Sequence, residues 1–382
     1  MIKEAAAYWI ALAHLPKWGH LKINNLIIKF FHENKISIEE FFQLGEKDWR
    51  GIYQLDEKQI FDLNKAKLEL PGNAFLAESL FSQGFEIIPI TSQDYSKTLK
   101  TNLKATHAPA VLYIKGNGKI LSEKSVAIVG SRDASETALE FTDNIAQLAS
   151  KEFKVVVSGF AKGVDKKALD SAIFYKGQSV IVLPQGIMTF ASGFKNYYKQ
   201  IIDGDVLVLS TFFPKAPWRT ELAMARNPII YGLANEIYVA ESSEKGGTWS
   251  GVMDGLKKNR SIFVRKPEPG EKNANNILIQ KGAIPVDING QRLSEVYNAP
   301  LFDVISLVQE SDADFFASEI RSVFNGKPLS AKEVILKLKL DWTTQKMNNY
   351  LKKIDFIETI KEKKGNLFKL KEATDKTQPT LF

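Results

Sequence analysis

The chain has 382 residues, 44% of them hydrophobic and 25% charged, with a formal net charge of +7 and no cysteine. That length supports more than one domain, and the missing thiols exclude disulfides, thiolate metal sites and cysteine nucleophiles. No apolar run approaches the roughly 20 residues of a membrane-spanning helix, and the first residues lack the basic region and cleavage site of a signal peptide, so a cytoplasmic protein with no membrane partner is expected.

Helices come first. Over residues 5–70 apolar side chains recur at helical spacing, as in Leu26, Ile27, Phe30 and Phe31. The turn Leu15-Pro16-Lys17-Trp18-Gly19 has one glycine where a phosphate-gripping helical hairpin would use several, so region 1–82 reads as a docking or structural domain. Two short strands, 85–90 and 110–115, fall within 83–118. From 119 to 290 the β-branched runs SVAIVG (125–130), KVVVSG (154–159), SVIVLPQG (179–186), DVLVLST (205–211), EIYVAE (236–241) and SIFVR (261–265) alternate with helical stretches such as 135–149. Near-continuous apolar strands alternating with helices predict an α/β fold, a Rossmann-like and mostly parallel sheet covered on both faces.

Residues 291–314 read as a linker, 315–372 as a second module and 373–382 as a disordered tail. In that module Ser330 and Glu333 form a capping box that opens a helix ending at Leu338, and a second helix starts at Thr343. Runs 356–361 and 367–370 then flank a turn, giving the helix–helix–hairpin order of a winged helix. From Phe315 to Phe382 there are 13 lysines and one arginine against eight acids, a net +6. Nearly all the net charge is therefore C-terminal, as either a solvated surface or a module that docks on phosphate.

In an open parallel sheet, ligands bind beyond the carboxyl ends of the strands. There the sequence places Gly130-Ser131-Arg132, then Ser158 and Gly159 with Lys162 and Gly163 before Asp165, then Lys245-Gly246-Gly247-Thr248. Glycine admits a ligand to the backbone, hydroxyls donate, and cations add charge, so three such loops on one edge make an anion site with phosphate the expected anion. GSRDAS is not GxGxxG, no acid ends the second strand to hold a ribose, and no Walker motif occurs; no cofactor and no metal are expected. All four histidines (His14, His20, His32 and His107) precede the sheet. Asp165, Glu241 and Glu244 are then the nearest candidates for a general base, and otherwise serve as loop or capping carboxylates.

The runs IVGSR, VVVSGFAKGVD, VIVLPQGI, ARNPIIYGLANEIYVAES, GGT and NNILIQKGA resemble the core of the DprA/Smf family, and YWIALAHLP and APAVLYIKGN resemble the segments before that core. The resemblance spans most of 8–286. It implies an extended Rossmann-like fold and a homodimeric, non-catalytic protein that binds single-stranded DNA and helps load a RecA-type recombinase in DNA uptake or recombination. It places Arg132, the loop 158–165, Arg226 and Asn227 around the nucleic-acid groove, where cations and loop amides meet phosphates. Tyr197, Tyr198 and Trp249 offer stacking surfaces there, or else pack in the core or at its rim.

Two departures from family patterns stand out. Pro228 follows Arg226-Asn227 where the family commonly has a second arginine. The loop Lys245–Thr248 also resembles that of the LOG-type phosphoribohydrolases, but their glutamate three residues after the threonine is here Gly251. A nucleotide-binding sensor related to those enzymes is the alternative function, and a winged-helix DNA-binding regulator the second alternative. Finally, Gln378, Leu381 and Phe382 resemble the Q-x-x-L-F peptide by which replication and repair proteins hold a sliding clamp, a further expected partner.

Overall fold

The computed structural model describes residues 3–105 and 107–293, then 324, 328–338, 344–352, 354, 357–362 and 365–370. Nearly all of the expected linker and the whole tail, with Gln378, Leu381 and Phe382, lie outside the described residues. The chain divides into two compact units, Met1–Glu295 and Val296–Phe382.

The larger unit is built on a nine-stranded sheet: β1 Glu86–Pro89, β2 Val111–Lys115, β3 Ser125–Val129, β4 Val155–Ser158, β5 Ser179–Val182, β6 Val206–Ser210, β7 Glu236–Val239, β8 Ile262–Arg265 and β9 Ile284–Val286. Their spatial order is β1-β2-β6-β5-β4-β3-β7-β8-β9. From β6 to β9 every neighbouring pair is parallel, as the alternation of strands and helices predicts. The two early strands do not stand apart: β1 pairs antiparallel with β2, which pairs antiparallel with β6 and extends the same sheet. Strand β9 is absent from the sequence reading because Ile284-Pro285-Val286 is short and carries a proline, which a sheet tolerates at its edge.

Both faces of the sheet are dry. In β3, Val126 and Ile128 join one core with Phe141, Ile145 and Ala168, while Ala127 and Val129 join the other. β7 splits likewise, with Tyr238 on the first face and Ile237 and Val239 on the second. This two-residue period explains why these strands read as unbroken apolar runs. The second core also takes in the N-terminal helices, including Ala6–Ala13, His20–Ile27, Glu57–Leu68 and Leu70–Ser82, with Phe30 stacked on Phe41 at 4.8 Å between ring centres. At about 1.5–3 kcal/mol for each large side chain buried, this shared core fastens the helical region to the sheet.

The topology also locates a crevice. From β3 the chain moves through β4 and β5 to β6, then crosses back to lay β7 on the opposite side of β3. The carboxyl ends of β3 and β7 therefore flank a topological switch point.

In the smaller unit β10 (Leu329–Ser330), the helices Ala331–Lys337 and Thr344–Leu351, β11 (Ile357–Glu362) and β12 (Gly365–Leu370) follow in chain order, and the strands form an antiparallel sheet β10-β12-β11. The Ser330–Glu333 capping box is formed, with the Ser330 amide donating to the Glu333 carboxylate at 2.7 Å. Val334, Met347, Leu351 and Phe368 are fully buried there. Among the described residues no helix is long and apolar enough to cross a membrane.

Candidate nucleic-acid interface

Three loops leave the carboxyl edge at β3, β4 and β7 and lead into the helices Glu136–Lys151, Val164–Phe174 and Gly246–Lys257. A helix start without a side-chain cap carries unpaired amides and partial positive charge; the helices after β4 and β7 have no such cap, so their starts favour an anion.

After β3, Gly130 packs where the three loops meet: a Cβ there would lie 2.5 Å from Val164 Cγ2 and 3.2 Å from the Glu241 carbonyl oxygen. The Ser131 hydroxyl accepts from the Asp133 amide at 3.1 Å and tightens the turn. That turn presents Arg132 to solvent, with no hydrogen bond or ion pair to another described residue. Ser135 caps the following helix and donates its hydroxyl to the Glu241 carboxylate, so Glu241 acts as a brace between the β3 and β7 loops.

The β4 loop encloses a buried charge pair. Ser158 is buried and donates to the Ile128 carbonyl at 2.8 Å, which binds β4 to β3. Arg226, 5% exposed, sends Nη1 to the Val182 carbonyl at 3.0 Å and holds Nη2 3.7 Å from Asp165 Oδ2. Its Nε is buried without a hydrogen-bond partner. Gly159 makes room for this group, since a Cβ there would overlap Arg226 Nη1. Burial pushes the Asp165 carboxyl up, against the pull of Arg226, the Ala161 amide and the Ser158 hydroxyl; burial likewise pushes the Arg226 guanidinium down. Arg226 is thus a buried cation beneath the loop floor, while Lys162 is exposed at its rim and paired with Asp133 at 3.2 Å. Gly163 has φ of +83°, and a Cβ on it would meet the carbonyl oxygens of Ser131 and Arg132 at 2.4 and 2.5 Å.

After β7, Lys245 is extended and exposed, and no side chain caps the helix it precedes. Gly246, at φ +92°, has open space where a side chain would be. Gly247 packs on Asn227, whose amide nitrogen would be 2.5 Å from a Cβ there. Thr248 donates to the Gly130 carbonyl at 3.1 Å, tying this loop to the β3 loop. At Gly251 a Cβ would stand 2.6 Å from the Tyr231 ring, so this packing leaves no room for a carboxylate side chain.

The structure adds residues that loop composition did not single out. Asn275 donates to the carbonyls of Ala240 at 3.0 Å and Arg265 at 2.9 Å and accepts from the Ser242 amide at 2.9 Å. Arg265, fully buried, donates to Ala240 and makes two hydrogen bonds to Glu271, at 3.0 and 2.6 Å. Together they fix the root of the β7 loop. The only sequence signal for Asn275 is its place in the run NNILIQKGA. The three aromatic candidates separate: Tyr197 is buried and donates to Asp170 at 3.0 Å, Trp249 is partly buried against the core, and Tyr198 is 65% exposed. Tyr197 is therefore a packing residue with no open stacking face.

A family model described as DNA recombination-mediator protein A matches residues 86–297. The DNA processing protein DprA of Streptococcus pneumoniae (strain ATCC BAA-255 / R6) is 32% identical over 179 residues, covering 46% of this chain and 63% of that protein. Its counterpart in Bacillus subtilis (strain 168) is 30% identical over 191 residues, covering 48% and 61%. The chain thus spans less than two thirds of the length of these two relatives. The X-ray structure of DprA from Streptococcus pneumoniae is similar with a TM-score of 0.59 at 25% identity, over 75% of this chain and 95% of that one.

Proposed function

The chain belongs to the DNA recombination-mediator protein A family, and from that premise we propose that it binds single-stranded DNA along the carboxyl edge of its parallel sheet, as a mediator and not as an enzyme. The observation that carries this reading is the meeting of the β3, β4 and β7 loops around Gly130, with Arg132 and Lys245 exposed on those loops and Arg226 buried against Gly159. Exposed cations meet phosphates and release counterions; loop amides grip the same oxygens and fix the register of the strand. Ser158 and Arg226 shape and charge the floor, while Arg132, Lys162, Lys245 and the amides of Gly246 and Gly247 supply contacts.

The reading extends, by resemblance, to a homodimer that hands the strand to a RecA-type recombinase in DNA uptake or recombination, and to a sliding-clamp contact through Gln378, Leu381 and Phe382. The smaller unit reads as a winged helix that docks on either DNA or protein. A nucleotide sensor is the second reading, supported by the uncapped helix start at Lys245. Gly251 against Tyr231 speaks against glycosidic cleavage in that site.

The test is fluorescence anisotropy of a labelled oligo-dT with the full chain and with Arg132→Ala. Loss of one phosphate contact lowers affinity by about tenfold and reduces the salt slope on this single strand by about 0.7. If Arg132→Ala binds as tightly as wild type at every salt concentration, the sheet edge is not the groove.

A further inference from the structure

Resting on the DNA-binding reading, we infer that Trp218 is a base-stacking platform, and that the loop 211–219 after β6 prolongs the single-strand path past the anion-binding loops. β6 lies two strands from β4 along the same edge, about 10 Å at ordinary inter-strand spacing. Its loop therefore borders the ground occupied by Gly159 and Arg226.

The loop is built as a rigid shelf. The Gly186 amide donates to the Ala216 carbonyl at 2.9 Å and the Met188 amide to the Pro214 carbonyl at 3.0 Å, joining it to the loop after β5. Ala216 donates back to Phe213 at 2.8 Å, and the Thr189 hydroxyl adds a bond to Ala216 at 3.2 Å. Gly186 allows this approach, because a Cβ there would lie 2.3 Å from the carbonyl oxygens of both Phe213 and Pro214. Pro217 restricts the backbone immediately before Trp218.

On this shelf Trp218 is 51% exposed. Among the described residues its ring makes no aromatic or cation contact and its indole N–H has no hydrogen-bond partner. Lys215 and Arg219 on either side are exposed and form no ion pair there; Glu221, in the first turn of the following helix, is the nearby acid. Phe213 is engaged edge-on with His14, at 5.5 Å between ring centres, and is 38% exposed, and Phe212 is partly buried, so Trp218 is the most exposed ring of the loop. An exposed aromatic ring with cations at nearby chain positions suits successive bases of a single strand, since every base offers a π-face while Lys and Arg take the phosphates.

The experiment compares the full chain with Trp218→Ala, Trp218→Phe and Arg132→Ala on two labelled ligands, oligo-dT and an abasic oligonucleotide of equal length. Trp218→Ala is expected to weaken oligo-dT binding by about tenfold, with an unchanged salt slope and unchanged abasic binding, while Trp218→Phe restores most of the affinity. If Trp218→Ala equals wild type on oligo-dT while Arg132→Ala is weakened, the stacking platform is overturned and the DNA-binding reading stands. Equal losses on both ligands would mean that the residue supports the loop and stacks on no base, which also overturns it. If wild type binds neither ligand, the DNA-binding reading itself falls and the platform falls with it.

Discussion

Gly163 shows how much of the site depends on single backbone positions. Its φ of +83° is one that side-chain-bearing residues rarely adopt, and the carbonyl oxygens of Ser131 and Arg132 occupy the place of a side chain. Gly163→Ala must either displace the β3 loop or strain the start of the helix Val164–Phe174, at a cost of about 1–3 kcal/mol. Urea unfolding should register that loss, and oligo-dT affinity should fall with it because Arg132 sits on the displaced turn. Unchanged stability and affinity would mean that the loops are not so tightly packed. Arg226 makes the complementary case. Removing it as Arg226→Ala leaves Asp165 buried without its cation, so a loss of about 3–5 kcal/mol is expected in the same unfolding experiment. The Asp165→Asn, Arg226→Met double variant should recover part of that stability but not the DNA affinity, because the positive floor is gone.

At the scale of elements, the helix Ala6–Ala13 is tied to the sheet through its C-cap residue, His14. His14 lies 2.9 Å from the Tyr113 hydroxyl of β2, and burial, with a smaller push from His20, lowers its pKa from 6.5 to about 4. The folded state therefore holds His14 neutral where the unfolded chain takes up a proton. Stability from this group is complete above about pH 6.5 and is lost as pH falls towards 4, on the order of 3 kcal/mol in all. His20 is lowered too, first by burial and then by His107, and adds to the same slope. Urea midpoints at pH 7 and pH 5 should differ clearly in wild type and much less in His14→Gln; an equal difference in both would remove His14 from the account. This docking was not legible in the sequence, because it joins residues 99 positions apart. Periodicity gives each element's type but not its partner, and so the parallel core and the capping box were legible while the addition of β1 and β2 to the main sheet was not. Glycine, hydroxyl and cation composition marked the three loops, yet the burial of Ser158 and Arg226 follows from packing against β3 and β5. The latch at Asn275 depends on Arg265 and Ala240, which only the tertiary structure brings together.

For the whole molecule, charge is distributed unequally: residues 315–382 hold a net +6 of the chain's +7. If binding followed net charge, deleting 315–382 would abolish it; if it follows local geometry, the sheet edge keeps Arg132, Lys162, Lys215, Arg219 and Lys245 and continues to bind. The compact unit Met1–Glu295 contains every one of these residues, which favours the second outcome. Each phosphate that the C-terminal module contacts adds about 0.7 to the salt slope on a single strand and about 0.9 on B-form duplex. A chain ending at residue 314 is therefore expected to keep oligo-dT binding with a shallower slope, and to lose most of its low-salt affinity for duplex. Anisotropy titrations over a range of salt, with single and double strands in parallel, separate the two contributions. Should the truncated chain lose oligo-dT at all salt concentrations while Arg132→Ala in the full chain binds normally, the C-terminal module is the DNA binder and the switch-point crevice is free for a nucleotide.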